Sequence, residues 1–480
     1  MTRQNLTARE RWLAFAVLCL GDIMIVLDST VVNVALPTIR TSLGFSETGL
    51  VWVVNAYLLT FGGFMLLGGR MADIYGQRLL WLVGIIAFTV ASAVCGLAIS
   101  QEMLVVARAA QGVAGAVVSA VALSLIMALF PDGPDRVKAM GYFGFVMAGG
   151  GSVGLLLGGV LTDLLDWRSI FLINLPIGAL VAWLSIRLLP DAKSEGGERH
   201  LDIAGAVTIT GSLLLAVYAV VNGEEAGWTS AQTLGLIGGA VALLLAFIVI
   251  ESKVKAPLVP LGLFRLRNIV VSNIIGVLWA AAMFAWFFLS ALYMQLVLGY
   301  GPLQVGLAFL PSNVIMAAFS LSLSAKMVNR FGVRRPLAWG LSCAAAGLAL
   351  FALAPANGEF ILHVLPSMLL LGIGAGMAFN PVLLAAMSDV EPKDSGLASG
   401  IVNTAFMMGG SLGLAVLASL AAIATKASLA AGAATPVALT AGYSVAFWVG
   451  AGCALTGGLL GFLLRERPHG DGEPAPVMMH

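Results

Sequence analysis

Long apolar runs alternate with short polar turns along the whole chain, with the spacing of helices that cross a bilayer. About 20 consecutive apolar residues are enough to span the hydrocarbon core. On that length, fourteen runs are predicted to cross: 12–36, 50–69, 79–99, 103–130, 139–161, 170–189, 202–221, 231–251, 269–297, 304–325, 336–355, 361–385, 397–423 and 442–464. The fold class predicted is an all-α polytopic membrane protein. Between the runs lie a polar linker at 190–200 and a second, amphipathic one at 251–267; the Pro/Gly-rich tail at 467–480 is predicted to be disordered.

Charge placement gives this pattern a direction. With the N-terminus in the cytoplasm, 21 of the 25 Lys and Arg residues fall in cytoplasmic segments and three (Arg40, Arg168, Lys426) fall outside. That asymmetry is the positive-inside signal, and it favours an even number of spans with both termini cytoplasmic. Arg108, the remaining cation, lies inside a span. The first run is about one bilayer thickness long, contains acids and lacks a small-residue cleavage site, so it is expected to stay as the first helix.

Composition narrows the class further. The chain is 60% hydrophobic and 10% charged, against about 25% charged in soluble domains. Its mean hydropathy is +0.99. A net charge of +1 gives no electrostatic reason to expect a nucleic-acid partner. The four cysteines lie in apolar runs at no metal-ligand spacing and read as small core hydrophobes. No cofactor is expected.

The chain also repeats itself. Residues 69–78 (GRMADIYGQR) and 325–334 (AKMVNRFGVR) are offset by 256, with Met, an aromatic residue and Gly in register. A parallel repeat of two halves is a transporter architecture. The predicted organisation is therefore 6 + 2 + 6: a cytoplasmic N-terminus at 1–11, a six-helix half at 12–189, a linker with two extra helices at 190–267, a second half at 268–466, and the tail.

Intramembrane charges are the candidate chemistry, because each costs about 2.5–3.5 kcal/mol to insert at a helix centre. The first run carries Asp22 and Asp28. On a helical wheel Asp22, Ser29 and Asn33 share a face, and Asp28 sits about 120° away. Arg108 needs a partner, and Asp22, Asp28 and Gln111 are the candidates. A carboxyl removed from water gains in its neutral form, which suits a group that takes up and releases a proton within a membrane. The alternative for Asp22 is a polar helix–helix contact; for Asp28 it is a structural hydrogen bond; for Arg108, a permanent ion pair. Spans 9 to 14 carry no central acid, so coupling is expected in the first half.

Several segments together resemble the major facilitator superfamily, in its fourteen-helix drug:proton antiporter branch. They are LDSTVVNVALP at 27–37, GRMADIYGQR at 69–78, RAAQG at 108–112, GLLLGG at 154–159 and WRSIFLINLP at 167–176. The resemblance runs the length of the chain. It implies a monomeric, proton-coupled exporter of drugs, antibiotics or related amphipathic molecules, working by alternating access in the inner membrane and powered by the proton gradient. It implies proton coupling by Asp28 with Arg108, beside which Asp22 and Gln111 stand as candidates from the residues themselves. It implies a cytoplasmic gate at Gly69, Arg70, Asp73, Gly76 and Arg78, and a helix-packing antiport motif at Gly154, Gly158 and Gly159. Leu155 stands where that motif carries Pro, and Asn329 replaces Asp73 in the second half. For a substrate cavity, polar and aromatic residues suggest Asn33, Tyr57, Trp286, Tyr293, Gln295, Asn380 and Met407. Met and aromatic walls suit varied bulky ligands; the alternative is core or lipid-facing packing. A metabolite exporter or symporter on the same fold is the alternative function. A channel or a membrane enzyme fits less well, since the four histidines form no ligand or base constellation.

Overall fold

The computed structural model describes residues 7–130, 134–189, 201–255, 257–390 and 395–465. The predicted tail at 467–480 and the linker at 190–200 lie outside them, as does the side chain of Asp73. All regular structure among the described residues is helical.

The first group comprises α1 (Ala8–Leu43), α2 (Val51–Tyr75), α3 (Gln77–Gly96), α4 (Gln101–Leu129), α5 (Pro134–Leu164), α6 (Ser169–Leu172) and α7 (Asn174–Leu188). A middle pair follows, α8 (Ile203–Ala226) and α9 (Ala231–Lys253). The second group is α10 (Arg267–Leu292), α11 (Pro302–Ala318), α12 (Ser324–Phe331), α13 (Arg334–Ala352), α14 (Leu365–Met387), α15 (Ser395–Ala430) and α16 (Thr435–Leu460). Among the described residues, twelve helices are long and apolar enough to cross a membrane. The two predicted spans outside that set fall on α5, whose described apolar stretch is Val153–Leu164, and on the 17-residue α11.

Several predicted spans are not single α-helices. The run at 170–189 breaks at Ile173 into α6 and α7, and the run at 304–325 passes from α11 through a π-helical turn, Phe319–Leu323, into α12. Local chemistry sets the ends. Thr7 and Glu10 cap the start of α1 reciprocally, Glu10 Oε2 accepting from the Thr7 N–H at 2.8 Å. Gly44, with φ 73°, closes the other end in the left-handed conformation. Gly76 (φ 97°) turns the chain from α2 into α3, and Gly332 (φ 74°) turns it at the end of α12. The offset-256 repeat thus carries the same backbone requirement twice.

Within the first group α4 packs on α2 and α3, and α1 packs on α5, α7 and α4; within the second, α10 packs on α15 and α16, and α13 on α14 and α16. The groups meet along α2–α15 and α5–α11. Asn55 Nδ2 donates to the Ser411 carbonyl at 3.0 Å, and Gln295 Nε2 to the Val34 carbonyl at 3.1 Å. A Cβ on Gly159 would stand 2.7 Å from the Pro302 carbonyl oxygen, and one on Gly306 2.7 Å from that of Leu155, so glycine sets how closely α5 and α11 approach. Helix α8 packs on α9 and lies against both α2 and α15.

Candidate functional site

Four helices of the first group converge on Asp28. It sits on α1 at 1% exposure, facing Arg108 of α4, also at 1%. Arg108 Nη1 bonds and ion-pairs with Asp28 Oδ2. Asp28 Oδ1 accepts from Gln111 Nε2 at 2.9 Å and from Asn174 Nδ2, at the start of α7, at 3.0 Å. Gln111 lies one turn after Arg108 and so shares its helix face; its Oε1 accepts from Arg108 Nη1 at 2.8 Å and from the Cys95 thiol of α3 at 3.2 Å. Ser92 of α3 completes the set, contacting Asn174 Nδ2 at 2.9 Å while its hydroxyl donates to the Phe171 carbonyl at 2.9 Å.

Arg108 has a second set of contacts. Its Nε donates to the Val53 carbonyl of α2 at 3.0 Å, and its guanidinium lies 4.4 Å from the Tyr57 ring centroid. Gly112 makes room for this: a Cβ there would stand 2.4 Å from the Tyr57 carbonyl oxygen. A buried ion pair survives desolvation when geometry and hydrogen bonds are nearly complete; here Asp28 receives Arg108, Gln111 and Asn174, and Arg108 donates through Nε and Nη1. The chemical consequence is specific. A proton on Asp28 cancels its charge and its hold on Arg108, while Val53, Gln111 and the Tyr57 face still hold the cation. Protonation would therefore remove the charged tie between α1 and α4 while Arg108 keeps its other contacts.

Asp22 is placed elsewhere. It lies six residues earlier on α1, about 9 Å along the axis, with no exposure and no cation paired to it among the described residues. Its Oδ1 accepts from Ser119 of α4 at 2.9 Å, and its Oδ2 has no partner. The structure thus joins Arg108 to Asp28 and Gln111 and leaves Asp22 apart. The wheel face shared by Asp22, Ser29 and Asn33 does not form a polar site, because Ser29 bonds the Val26 carbonyl and Asn33 the Thr30 carbonyl of their own helix.

The other expected residues are dispersed. In the 69–78 turn Gly76 holds the positive φ, Arg70 is exposed, and Arg78 Nη2 donates to the Ile186 carbonyl at 2.5 Å. Nothing stands within 4 Å of a Cβ built on Gly69. The glycines of α5 do pack: Cβ atoms on Gly154 and Gly158 would stand 3.3 Å from Leu27 Cα and 2.7 Å from the Val31 carbonyl oxygen of α1. Leu155 is buried beside them at 1% exposure.

Of the expected cavity set, Tyr57 joins the ion-pair site, whereas Trp286 is buried against Phe287 and Phe309 in the second group. The Tyr293 hydroxyl donates to the Pro355 carbonyl at 2.8 Å, Gln295 bridges the two groups, and Asn380 bonds the Ser320 carbonyl at 3.1 Å. Met407 lies against Gly62 of α2. Asn174, Ser92, Cys95 and Ser119 are polar contacts that the apolar-run analysis passed over; Asn174 alone had a signal, inside the 167–176 segment.

Residues 18–414 match the family described as Major Facilitator Superfamily. The puromycin resistance protein pur8 of Streptomyces alboniger is 38% identical over 461 residues, covering 95% of this chain and 91% of its own. The cephamycin export protein CmcT of Amycolatopsis lactamdurans is 38% identical over 418 residues, covering 86% of each. Among solved structures, an auto-inhibited POT family peptide transporter superposes with a TM-score of 0.69 at 16% identity, over 98% of this chain and all of that one, a likeness of fold. With its twelve membrane-length helices and this match, the chain is a multi-pass membrane protein of the transporter class and belongs to the Major Facilitator Superfamily.

Proposed function

We propose that the protein is a proton-coupled exporter of antibiotics and related amphipathic molecules, and that Asp28 is the group that exchanges the proton. The observation that carries this reading is the buried, hydrogen-bonded Asp28–Arg108 pair, whose charged tie between α1 and α4 one proton would remove. The relatives' names support export as the direction and antibiotics as the cargo class. In this reading α5 and the α11–α12 segment also cross, giving fourteen spans as 6 + 2 + 6, with α8 and α9 as the added pair. The lysine- and arginine-rich turns and both termini face the cytoplasm of the cell membrane. Substrate and proton take turns in opening the interface between the halves.

One charge moved across 100 mV is worth about 2.3 kcal/mol. Exchange of a proton for a neutral molecule therefore draws on voltage as well as pH, and exchange for a monovalent cation draws on pH alone. The test uses proteoliposomes carrying an internal pH dye, exposed to a panel with puromycin, a cephamycin and organic cations. Substrate-stimulated proton movement is expected for at least one compound, and Asp28→Asn abolishes it. Vesicles with Asp28→Asn that pump like the wild type sink the assignment.

A further inference from the structure

Two buried acids outside this site face one another at the junction of the added helix pair. Asp202 caps α8, its Oδ1 accepting from the Gly205 N–H at 2.7 Å. Glu251, in the last turn of α9, accepts from the Val259 N–H at 3.1 Å through Oε2. They are 4% and 3% exposed. Their other oxygens, Asp202 Oδ2 and Glu251 Oε1, have no partner among the described residues. Both point at one spot, since a Cβ built on Gly205 would stand 2.6 Å from the first and 2.8 Å from the second.

Among the described residues the surroundings supply no counter-charge: no Lys or Arg pairs with either acid. Lys253 and Lys255 on the linker are exposed, as is Arg70 on α2. The described part of α15, which also packs on α8, has Lys426 as its single charged residue, near its far end. No third His, Cys, Asp or Glu among the described residues joins them to make a metal site. The charged residues of 190–200, Lys193, Arg199 and His200 among them, and the side chain of Asp73 are not described. Two carboxylates so placed repel, and one proton between them turns the repulsion into a hydrogen bond.

We infer that Asp202 and Glu251 bind one proton between them, as a clasp separate from the exchange proposed at Asp28. The clasp has a mechanical consequence. The Glu251 bond to Val259 fixes the linker beside Leu258, which packs with Leu67 of α2 and Ala206 of α8; Phe64, Leu66 and Met71 of α2 surround them. The 69–78 turn begins two residues after Leu67. The bound proton thus ties the added pair and its linker to the helix that carries this turn.

Hydrogen exchange of the linker amides of Leu258, Val259 and residues 261–263, in the full-length protein in nanodiscs, tests this without reference to transport. After correction for intrinsic exchange, wild-type protection is expected to fall on the alkaline side by up to tenfold per pH unit, the limit for one linked proton. Glu251→Gln, and independently Asp202→Asn, put an amide donor in place of the proton and keep protection flat with pH. The two mirror variants guard against one of them failing to fold. Wild-type protection that does not change with pH, or variants that follow the wild-type curve, overturns the clasp. Protection restored at fixed pH by sodium or potassium replaces the proton with a bound cation and overturns it equally. Because none of these readouts needs a pumping protein, an error in the exporter reading leaves the result intact.

Discussion

Arg108 is held twice, by an acid on α1 and by a carbonyl and an aromatic face on α2, and the two holds respond differently to substitution. Among the described residues Asp28 is the one acid paired with this cation, so Asp28→Asn removes its counter-charge, and breaking a buried pair from one side costs about 3–5 kcal/mol. The double variant Asp28→Asn/Arg108→Gln is expected to recover most of that stability in thermal unfolding and still fail to couple protons. A double variant no more stable than the single one argues against the pair as the structural tie. Asn174→Ala is the subtler probe: it strips one donor from Asp28 and leaves Ser92 short of a partner, at about 1–3 kcal/mol. It should slow proton-linked transport more than it lowers the melting temperature; the reverse order marks Asn174 as packing alone. At this scale the sequence was legible where charge interrupts an apolar run, which is why Asp28 and Arg108 stood out. Asn174 is uncharged, and it is the break at Ile173 that turns it inward. Ser29 and Asn33 misled the wheel because short polar side chains can satisfy themselves on their own helix's carbonyls.

Among the helices, glycines that look alike in the sequence do different work. Gly158 lets α5 sit against the backbone of α1 one turn from Asp28, with a Cβ position only 2.7 Å from the Val31 carbonyl oxygen. Gly69 meets nothing within 4 Å. Gly158→Ala must part the two helices and is expected to cost stability and most of the transport. Gly69→Ala removes a helix-interior glycine, which by itself favours the helix by roughly 0.5–1 kcal/mol. Melting curves and efflux assays on the pair check this contrast, and a Gly69→Ala variant as damaged as Gly158→Ala contradicts it. Helix existence was legible from run length alone; close approach was not, because it depends on which glycine faces which backbone across space.

For the whole molecule, the two groups touch along α2–α15 and along α5–α11, and any alternation must open one of these seams. A Cβ on Gly159 would stand 2.9 Å from Leu303 Cα. Gly159→Ala and Gly306→Ala each put a Cβ against the facing backbone, and are expected to wedge that seam and cut transport. Undiminished transport by both variants argues against a seam that must close during the cycle. The 256-residue offset is the sequence's argument for two groups; the position of α8 between α2 and α15 had no such signal, since lipid-facing helices carry no sequence mark of their neighbour.

The offset repeat holds one more consequence. Gly76 and Gly332 both keep a left-handed backbone, while the acid three residues before the first is matched by the amide of Asn329 before the second. A duplicated turn has preserved its shape and let its charge drift. If both turns bend in the transport cycle that we propose, the two would share a glycine hinge and differ in charge, and a symmetric frame would then work in one direction.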